Sequence, residues 1–442
     1  MIETTLDYEK VLAGRGNEVN LAVRINAPHL ASKERKPVAF AICLDRSGSM
    51  QGEKFKQALK ACTGIVQNLR PDDLFALTTF DDSAEVVLPL QKVSNKNHLI
   101  KVIGELHTRG CTNLSGGWSL ARDELDKAEP GIPRRMLLLS DGIANVGVTD
   151  NESLLSYAGC GLEKKEIRTS CLGFGDHYNE DLMTGMANAS SGNFYDVDSA
   201  EKLPLVFEAE LEGALRIAVQ NLRVRVAKED FCYSWRDLAE LKRVPLPDGR
   251  RELLVGDLVS EEERSFALSV RVLPIPLGAD GSQVASLEGE KILALEFVYD
   301  LVGEDELTAI REERVIRLSA TPNEDEVKVD ESVLPIVSAQ KTSRAVRKAI
   351  EELDRHQHED ALCRLEKMLA ELSAFKRPDL VEDSVKAIKS MIKNIRSGWY
   401  GTRGRKYASY SSRSLGRRSS KEYWSGKEEE RPSFKDDQRS NH

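Results

Sequence analysis

Three predominantly apolar runs constrain this chain more than any other feature: VAFAICL (38–44), LFALTTF (74–80) and MLLLS (136–140). A run without polar alternation suits a strand buried on both faces. Helical patterns separate the runs. Phe55, Ala58, Leu59, Cys62, Ile65, Val66 and Leu69 recur at helical spacing before Pro71, and similar patterns cover 96–106, 115–127, 153–164 and 180–189. Two more strands are predicted at IRTSCLGFG (167–175) and NFYDV (193–197), and EVVLPL (85–90) reads as a short edge strand because Pro89 cannot donate to a central ladder. Strand–helix alternation of this kind predicts a doubly wound, mostly parallel sheet covered by helices on both sides. Loops at the carboxyl ends of such strands meet at one crevice, where ligands bind.

The period changes on both flanks. LRVRVAK (222–228), SFALSVRVLPI (265–275), ILALEFVYD (292–300) and RVIRLSA (314–320) alternate apolar with polar residues, as does VNLAVRINAP (19–28) ahead of the α/β region. Alternation marks half-exposed antiparallel strands. The expected architecture is therefore an α/β unit inserted in an antiparallel β-sandwich, followed by a small helical region and a disordered basic tail. The boundaries read as 1–36 and 213–330 for the sandwich, 37–212 for the α/β unit, 331–397 for the helices and 398–442 for the tail. In the helices, Leu362, Leu365, Leu369 and Leu372 share one face and Val381, Val385, Ile388 and Ile392 another, with Asp379 as a candidate N-cap between them.

Composition narrows the function. A formal net charge of -9 argues against a general nucleic-acid binder. No apolar run approaches the about 20 residues that cross a bilayer, and the start of the chain lacks the look of a signal peptide. The cysteines form no C-x-x-C pair and several fall in apolar patterns, so a reducing cytoplasm is the simplest home.

The chemistry sits where the strands end. Asp45, Ser47 and Ser49 follow the first buried strand, Thr112 stands in the turn before a helix, and Asp141 ends another central strand. Two carboxylates and three hydroxyls at one end of one sheet are hard oxygen donors, with no His or Cys, which points away from zinc or copper. Mg²⁺, or Mn²⁺, accepts such a set with waters completing the shell.

D-x-S-x-S, a distant Thr and an S-D-G after a strand resemble the von Willebrand factor type A domain and its metal-ion-dependent adhesion site. The resemblance covers about 37–210, including the stretch GFGDHYNEDLMTGMANASSGNFYDV, with Cys111 standing where many members have Gly. The shape of the whole chain is similar to stand-alone bacterial members. What it implies is direct metal binding by Ser47, Ser49 and Thr112, with Asp45 and Asp141 acting mainly through water. One coordination position is left for an Asp or Glu carboxylate of a protein partner. The expected role is a metal-dependent adaptor or scaffold, not an enzyme. A lysine ammonium or bulky apolar group filling the gap between these side chains would argue against it.

Other readings stand beside this one. D-x-S-x-S is also what an Asx or ST turn capping the next helix would need. A metal-dependent phosphoryl hydrolase would use the same crevice, but phosphatases resembling the haloacid dehalogenases carry D-x-D, and position 47 is Ser. A regulatory adaptor of an AAA+ ATPase or of a Ser/Thr kinase pathway is a further alternative. No G-x-S-x-G surrounds a serine, His177 reads as a loop residue, and GFG lacks the third Gly of a nucleotide loop. Asp81 and Asp82 read as a turn before the edge strand, with partner contact at the flank of the crevice as the alternative, and Trp118 as either core or site rim. In the tail, Arg417 and Arg418 precede Ser419 and Ser420, which are candidate phosphorylation sites for a Ser/Thr kinase.

Overall fold

The computed structural model describes residues 2–29, 37–174, 178–197, 200–239, 241–276, 289–302 and 307–397, together with 405 and 408. Of the expected disordered tail, residues 405 and 408 fall among these; its other residues, Ser419 and Ser420 included, and His177 lie outside them.

The chain opens with β1 (Ile2–Leu6), β2 (Lys10–Leu12) and β3 (Asn17–Asn26). The α/β unit follows as β4 (Ala39–Asp45), α1 (Glu53–Asn68), β5 (Leu74–Phe80), β6 (Ala84–Lys92), α2 (Lys96–Gly104), α3 (Leu114–Leu125) and β7 (Arg134–Ser140), then α4 (Asn151–Lys165), β8 (Ile167–Phe174), α5 (Glu180–Ala189), β9 (Phe194–Val197) and α6 (Leu203–Leu215). Its sheet has the order β6-β5-β4-β7-β8-β9, parallel except for β6 at the edge.

Strand β4 shows why a continuous run was required. All seven of its residues are buried. Phe40, Ile42 and Leu44 pack with Phe55, Ala58, Cys62 and Ile65 of α1 on one face. Ala39, Ala41 and Cys43 lie on the other face, in the layer that holds Leu114, Trp118, Ala121 and Leu125 of α3. Small strand residues on that side leave room for the Trp118 ring, whose Nε1 donates to Thr169 Oγ1 at 3.1 Å. Trp118 is therefore core, not site rim.

The flanking strands form two further sheets. One has the order β1-β3-β14-β11, with β11 (Cys232–Asp237) and β14 (Glu263–Val272). The other has the order β12-β13-β10-β15-β16-β2, adding β10 (Ile217–Lys228), β12 (Lys242–Pro245), β13 (Arg251–Val259), β15 (Glu290–Val302) and β16 (Leu307–Thr321). Their inner faces share one core that includes Val23, Val224, Phe266 and Phe297. Strand β3 precedes the α/β unit in sequence and pairs with β14 after it, which makes the insertion explicit.

Several details differ from the sequence reading, which did not anticipate strands β1, β11, β12 and β13. The sandwich is not wholly antiparallel, because β2 pairs with β16 in parallel, and three residues are too few to display a period. Strand β6 runs nine residues rather than six. Helix α6 was not anticipated; Leu203, Val206, Phe207 and Leu211 bury it in the α/β core. Asp379 caps no helix: it pairs with Arg377 in a 3-10 turn, and Val381 holds the N-cap position of α9 without a side-chain bond.

The carboxy-terminal helices are α7 (Leu334–Asp354), α8 (His358–Ser373) and α9 (Glu382–Arg396). The start of α7 packs Val333, Ile336 and Val337 on Ala22 and Ala267 of the sandwich. Among the described residues, no helix is long and apolar enough to cross a membrane.

Candidate functional site

Each candidate residue stands at the carboxyl end of the α/β sheet, and neighbouring loops are stitched to one another there. Gly48 N–H donates to Gly110 O at 3.1 Å, and Arg109 N–H to Arg46 O at 2.7 Å. Asn145 and Val146 donate their amides to Thr112 O, while Thr112 N–H donates back to Asn145 Oδ1 at 2.9 Å. Gly110 makes the close approach possible. It has φ 70°, and a Cβ there would strike the Asp82 carboxylate.

Within that frame the side chains meet. Ser47 Oγ lies 3.0 Å from Ser49 Oγ, and Ser49 Oγ donates to Asp141 Oδ1 at 2.6 Å across 92 residues of sequence. Asp45 Oδ1 accepts the Ser47 amide at 2.8 Å, and its Oδ2 accepts the Ser140 hydroxyl at 2.5 Å. Thr112 Oγ1 reaches the same place: a Cβ on Gly142 would stand 3.2 Å from it and 3.8 Å from Ser49 Oγ. Glycine at 142 thus keeps open the space between these two hydroxyls. All but Ser49 are buried, and Ser49 is exposed.

The turn-and-cap reading of D-x-S-x-S is answered in part. Ser47 N–H to Asp45 Oδ1 is an Asx turn, but neither serine caps α1, whose N-cap is Gly52. The hydroxyls point instead at each other and at Asp141.

Electrostatics follow from burial. Asp45 is fully buried, and desolvation pushes its carboxyl up to about 6; bonds from Ser140 and Ser47 oppose this and the Asp141 charge adds to it. Asp81, beside the site, has the opposite balance. Burial pushes it up, but hydrogen bonds from Arg109, Ser83 and Arg46 outweigh that and hold it below the ordinary carboxylate range. Arg46 Nε reaches Asp81 Oδ2 at 2.7 Å and its Nη1 reaches Glu85 at 2.7 Å. The arginine inside D-x-S-x-S is thereby turned away from the hydroxyl cluster, and it fastens the loop to the β5–β6 turn. Asp82 accepts the Cys111 amide at 2.9 Å.

The sequence reading missed three participants. Ser140 stood in the S-D-G motif without a role. Asn145 carries no local signal. Lys54, in the first turn of α1, places its ammonium 2.8 Å from Asp141 Oδ2. The expectation of a gap without a protein cation is corrected to that extent: an ammonium holds one oxygen of one of the two carboxylates.

Residues 40–209 match the family model described as the von Willebrand factor type A domain. This stretch is a von Willebrand factor type A domain. A von Willebrand factor type A structure from Catenulispora acidiphila shares the fold over 89% of this chain and 89% of its own, with TM-score 0.68 and 18% identity. The ArnB paralog VWA2 from Sulfolobus acidocaldarius does so over 95% and 98%, with TM-score 0.61 and 16% identity. Both likenesses extend beyond the type A domain. Among curated proteins, an uncharacterized protein of Synechocystis is 25% identical over 53% of this chain and 57% of its own length. Escherichia coli YfbK is 28% identical over 49% and 37%, and bovine inter-alpha-trypsin inhibitor heavy chain H1 is 26% identical over 55% and 27%. The chain thus spans less than two thirds of each of these relatives.

The donor set of the type A domain fits a hard dication. Among the described residues, no group of three or more His, Cys, Asp or Glu is placed to hold a metal ion. A metal at this end of the sheet would therefore depend on hydroxyls as well as carboxylates, which is the chemistry of Mg²⁺ and Mn²⁺ rather than of zinc.

Proposed function

We propose that this chain is a divalent-metal-dependent protein-binding module acting as an adaptor or scaffold. Ser47, Ser49, Thr112, Asp45 and Asp141 would hold Mg²⁺ or Mn²⁺, and a partner's Asp or Glu carboxylate would complete the coordination. The observation that carries this is the meeting of Ser47, Ser49 and Asp141, from loops 92 residues apart, with Thr112 beside them.

The metal, when bound, supplies a Lewis-acidic position for a carboxylate. The chain's own residues do the rest. Asp45 and Asp141 bring two negative charges, which leave a bound dication close to neutral and able to take one more anionic oxygen. Ser140 and the Ser47 amide fix the Asp45 carboxylate, and Asn145 fixes the Thr112 loop. Arg46 and Arg109 saturate Asp81, which keeps a third carboxylate from competing.

The role is binding, not turnover. The polar groups described at the cluster are carboxylates, hydroxyls, amides and one ammonium, which suit holding a metal and a partner's carboxylate. None of the seven cysteines is joined in a disulfide, which fits a reducing compartment such as the cytoplasm. The net charge of -9 disfavours nucleic acid as the partner.

The test is a pulldown from a lysate of the source organism with the full chain, in Mg²⁺ and in EDTA, beside Asp45→Asn, with mass spectrometry of captured proteins. A partner retained only in Mg²⁺ and only by the wild type supports the reading. Capture that is indifferent to chelator and to the substitution refutes it.

A further inference from the structure

Asp45 and Asp141 are both buried, yet they are balanced differently. The hydrogen bonds to Asp45 come from a backbone amide and a hydroxyl. Asp141 accepts a hydroxyl on Oδ1 and a full positive charge on Oδ2, from Lys54 at 2.8 Å. The Asp141 side chain is 1% exposed and that of Lys54 is 37% exposed. One partner of the pair is fixed and the other can leave. The ammonium is braced a second time, 5.4 Å from the centroid of the Phe174 ring at the end of β8.

We propose that Lys54 is a tethered counter-ion that competes with the divalent cation for Asp141, and so sets how much free metal the site needs before it loads. This rests on the metal-site reading above. A dication drawn to Asp141 meets an ammonium already in contact with that carboxylate, and like charges at this separation repel strongly away from bulk water. Loading therefore requires Lys54 to withdraw or lowers the affinity if it stays. Its long stem and partial exposure allow withdrawal into solvent. In the metal-free protein the same ammonium keeps two neighbouring buried carboxylates from standing without any counter-charge.

The experiment is isothermal titration calorimetry of the full chain with MgCl₂ and with MnCl₂, on wild type, Lys54→Met, Lys54→Arg and Asp45→Asn. Methionine keeps an unbranched stem against Phe174 and removes the charge, so Kd falls by about tenfold, whereas Lys54→Arg stays within about threefold of wild type. Thermal melts in EDTA establish that each variant is folded, and Lys54→Gln replaces Lys54→Met if the latter is not. Metal binding by Lys54→Met that is equal to or weaker than wild type, with Asp45→Asn silent, overturns the role of Lys54 and leaves the metal site standing. Binding absent from wild type and from both neutral variants overturns the site and the inference together. Binding that appears only when Lys54 is neutralised supports both.

Discussion

Replacing Asp45 by Asn separates two effects that most substitutions at a metal site would confound. In the metal-free protein Asp45 is a cost. Burial raises its carboxyl from 3.8 to about 6, which corresponds to about 3 kcal/mol at about 1.4 kcal/mol per pH unit. The folded protein holds a proton between these values that the unfolded chain has released, so stability falls as pH rises through that window and reaches its low plateau above 6. Asparagine has nothing to ionise and escapes the loss. It also puts an amide N–H₂ where Oδ2 accepted the Ser140 hydroxyl, and the lost hydrogen bond takes back about 1 kcal/mol. The expected net gain in EDTA at pH 8 is about 2 kcal/mol, and it vanishes by pH 4.

Mg²⁺ reverses the ranking. A ligand at a hundred times its Kd stabilises the wild type by about 2.7 kcal/mol, while the variant, lacking a carboxylate at this position, gains little. Urea denaturation followed by far-ultraviolet circular dichroism, at pH 8 and pH 4 and with Mg²⁺ or EDTA, gives all four values for each protein. An Asp45→Asn protein less stable than wild type in EDTA at pH 8 would refute the burial argument. One that kept the full Mg²⁺ increment would refute the assignment of Asp45 to the metal.

Other consequences are read more simply. Metal affinity should weaken by about tenfold for each pH unit below 6, because the proton on Asp45 must leave first; calorimetry at pH 7.5 and 5.5 measures this, and a flat profile would contradict it. Gly142→Ala places a methyl 3.2 Å from Thr112 Oγ1 and should lower metal affinity while leaving the urea midpoint nearly unchanged. Asp257→Ala strips the shared carboxylate from Arg135 and Arg168, both largely buried, and should cost about 3–5 kcal/mol in urea denaturation, as broken buried pairs do.

What the sequence disclosed depended on how many residues carried each signal. Strands β4, β5 and β7 were legible because a buried run needs no partner to be recognised, and the carboxyl-end placement of Asp45 and Asp141 followed from strand direction, whereas Thr112 was read only from the turn before its helix. Short elements were not legible: β2 has three residues and β12 four, below any period. Helix α6 escaped because apolar residues on more than one side blur its amphipathic pattern. At the site, the donors were readable as a motif, whereas Lys54 was not. A lysine in the first turn of a helix is ordinary, and only the fold puts its ammonium against a carboxylate 87 residues away. Asn145 is the same kind of case, its role fixed by where two loops cross.

The two ends of the type A sheet are held by different parts of the chain, and this bears on how a partner can reach the site. Arg135 and Arg168 lie near the amino ends of β7 and β8, and Asp257 of β13 ties both to the sandwich. Asp257 is pushed up by burial, but the two guanidinium groups outweigh that and hold it well below the ordinary carboxylate range. Asp141 follows the other end of β7, about 20 Å away at the rise of an extended strand. Among the described residues, the sandwich therefore grips the end opposite to the candidate-site loops. The helical region reaches the near end instead. Arg405 bonds Asp354 at the end of α7, and also Glu180 and Asp181 in the first turn of α5, which begins beyond the carboxyl end of β8. A partner docking on Asp45, Ser49 and Thr112 would thus approach from the side on which Arg405 joins the type A domain to the helices, opposite to the end that Asp257 ties to the sandwich.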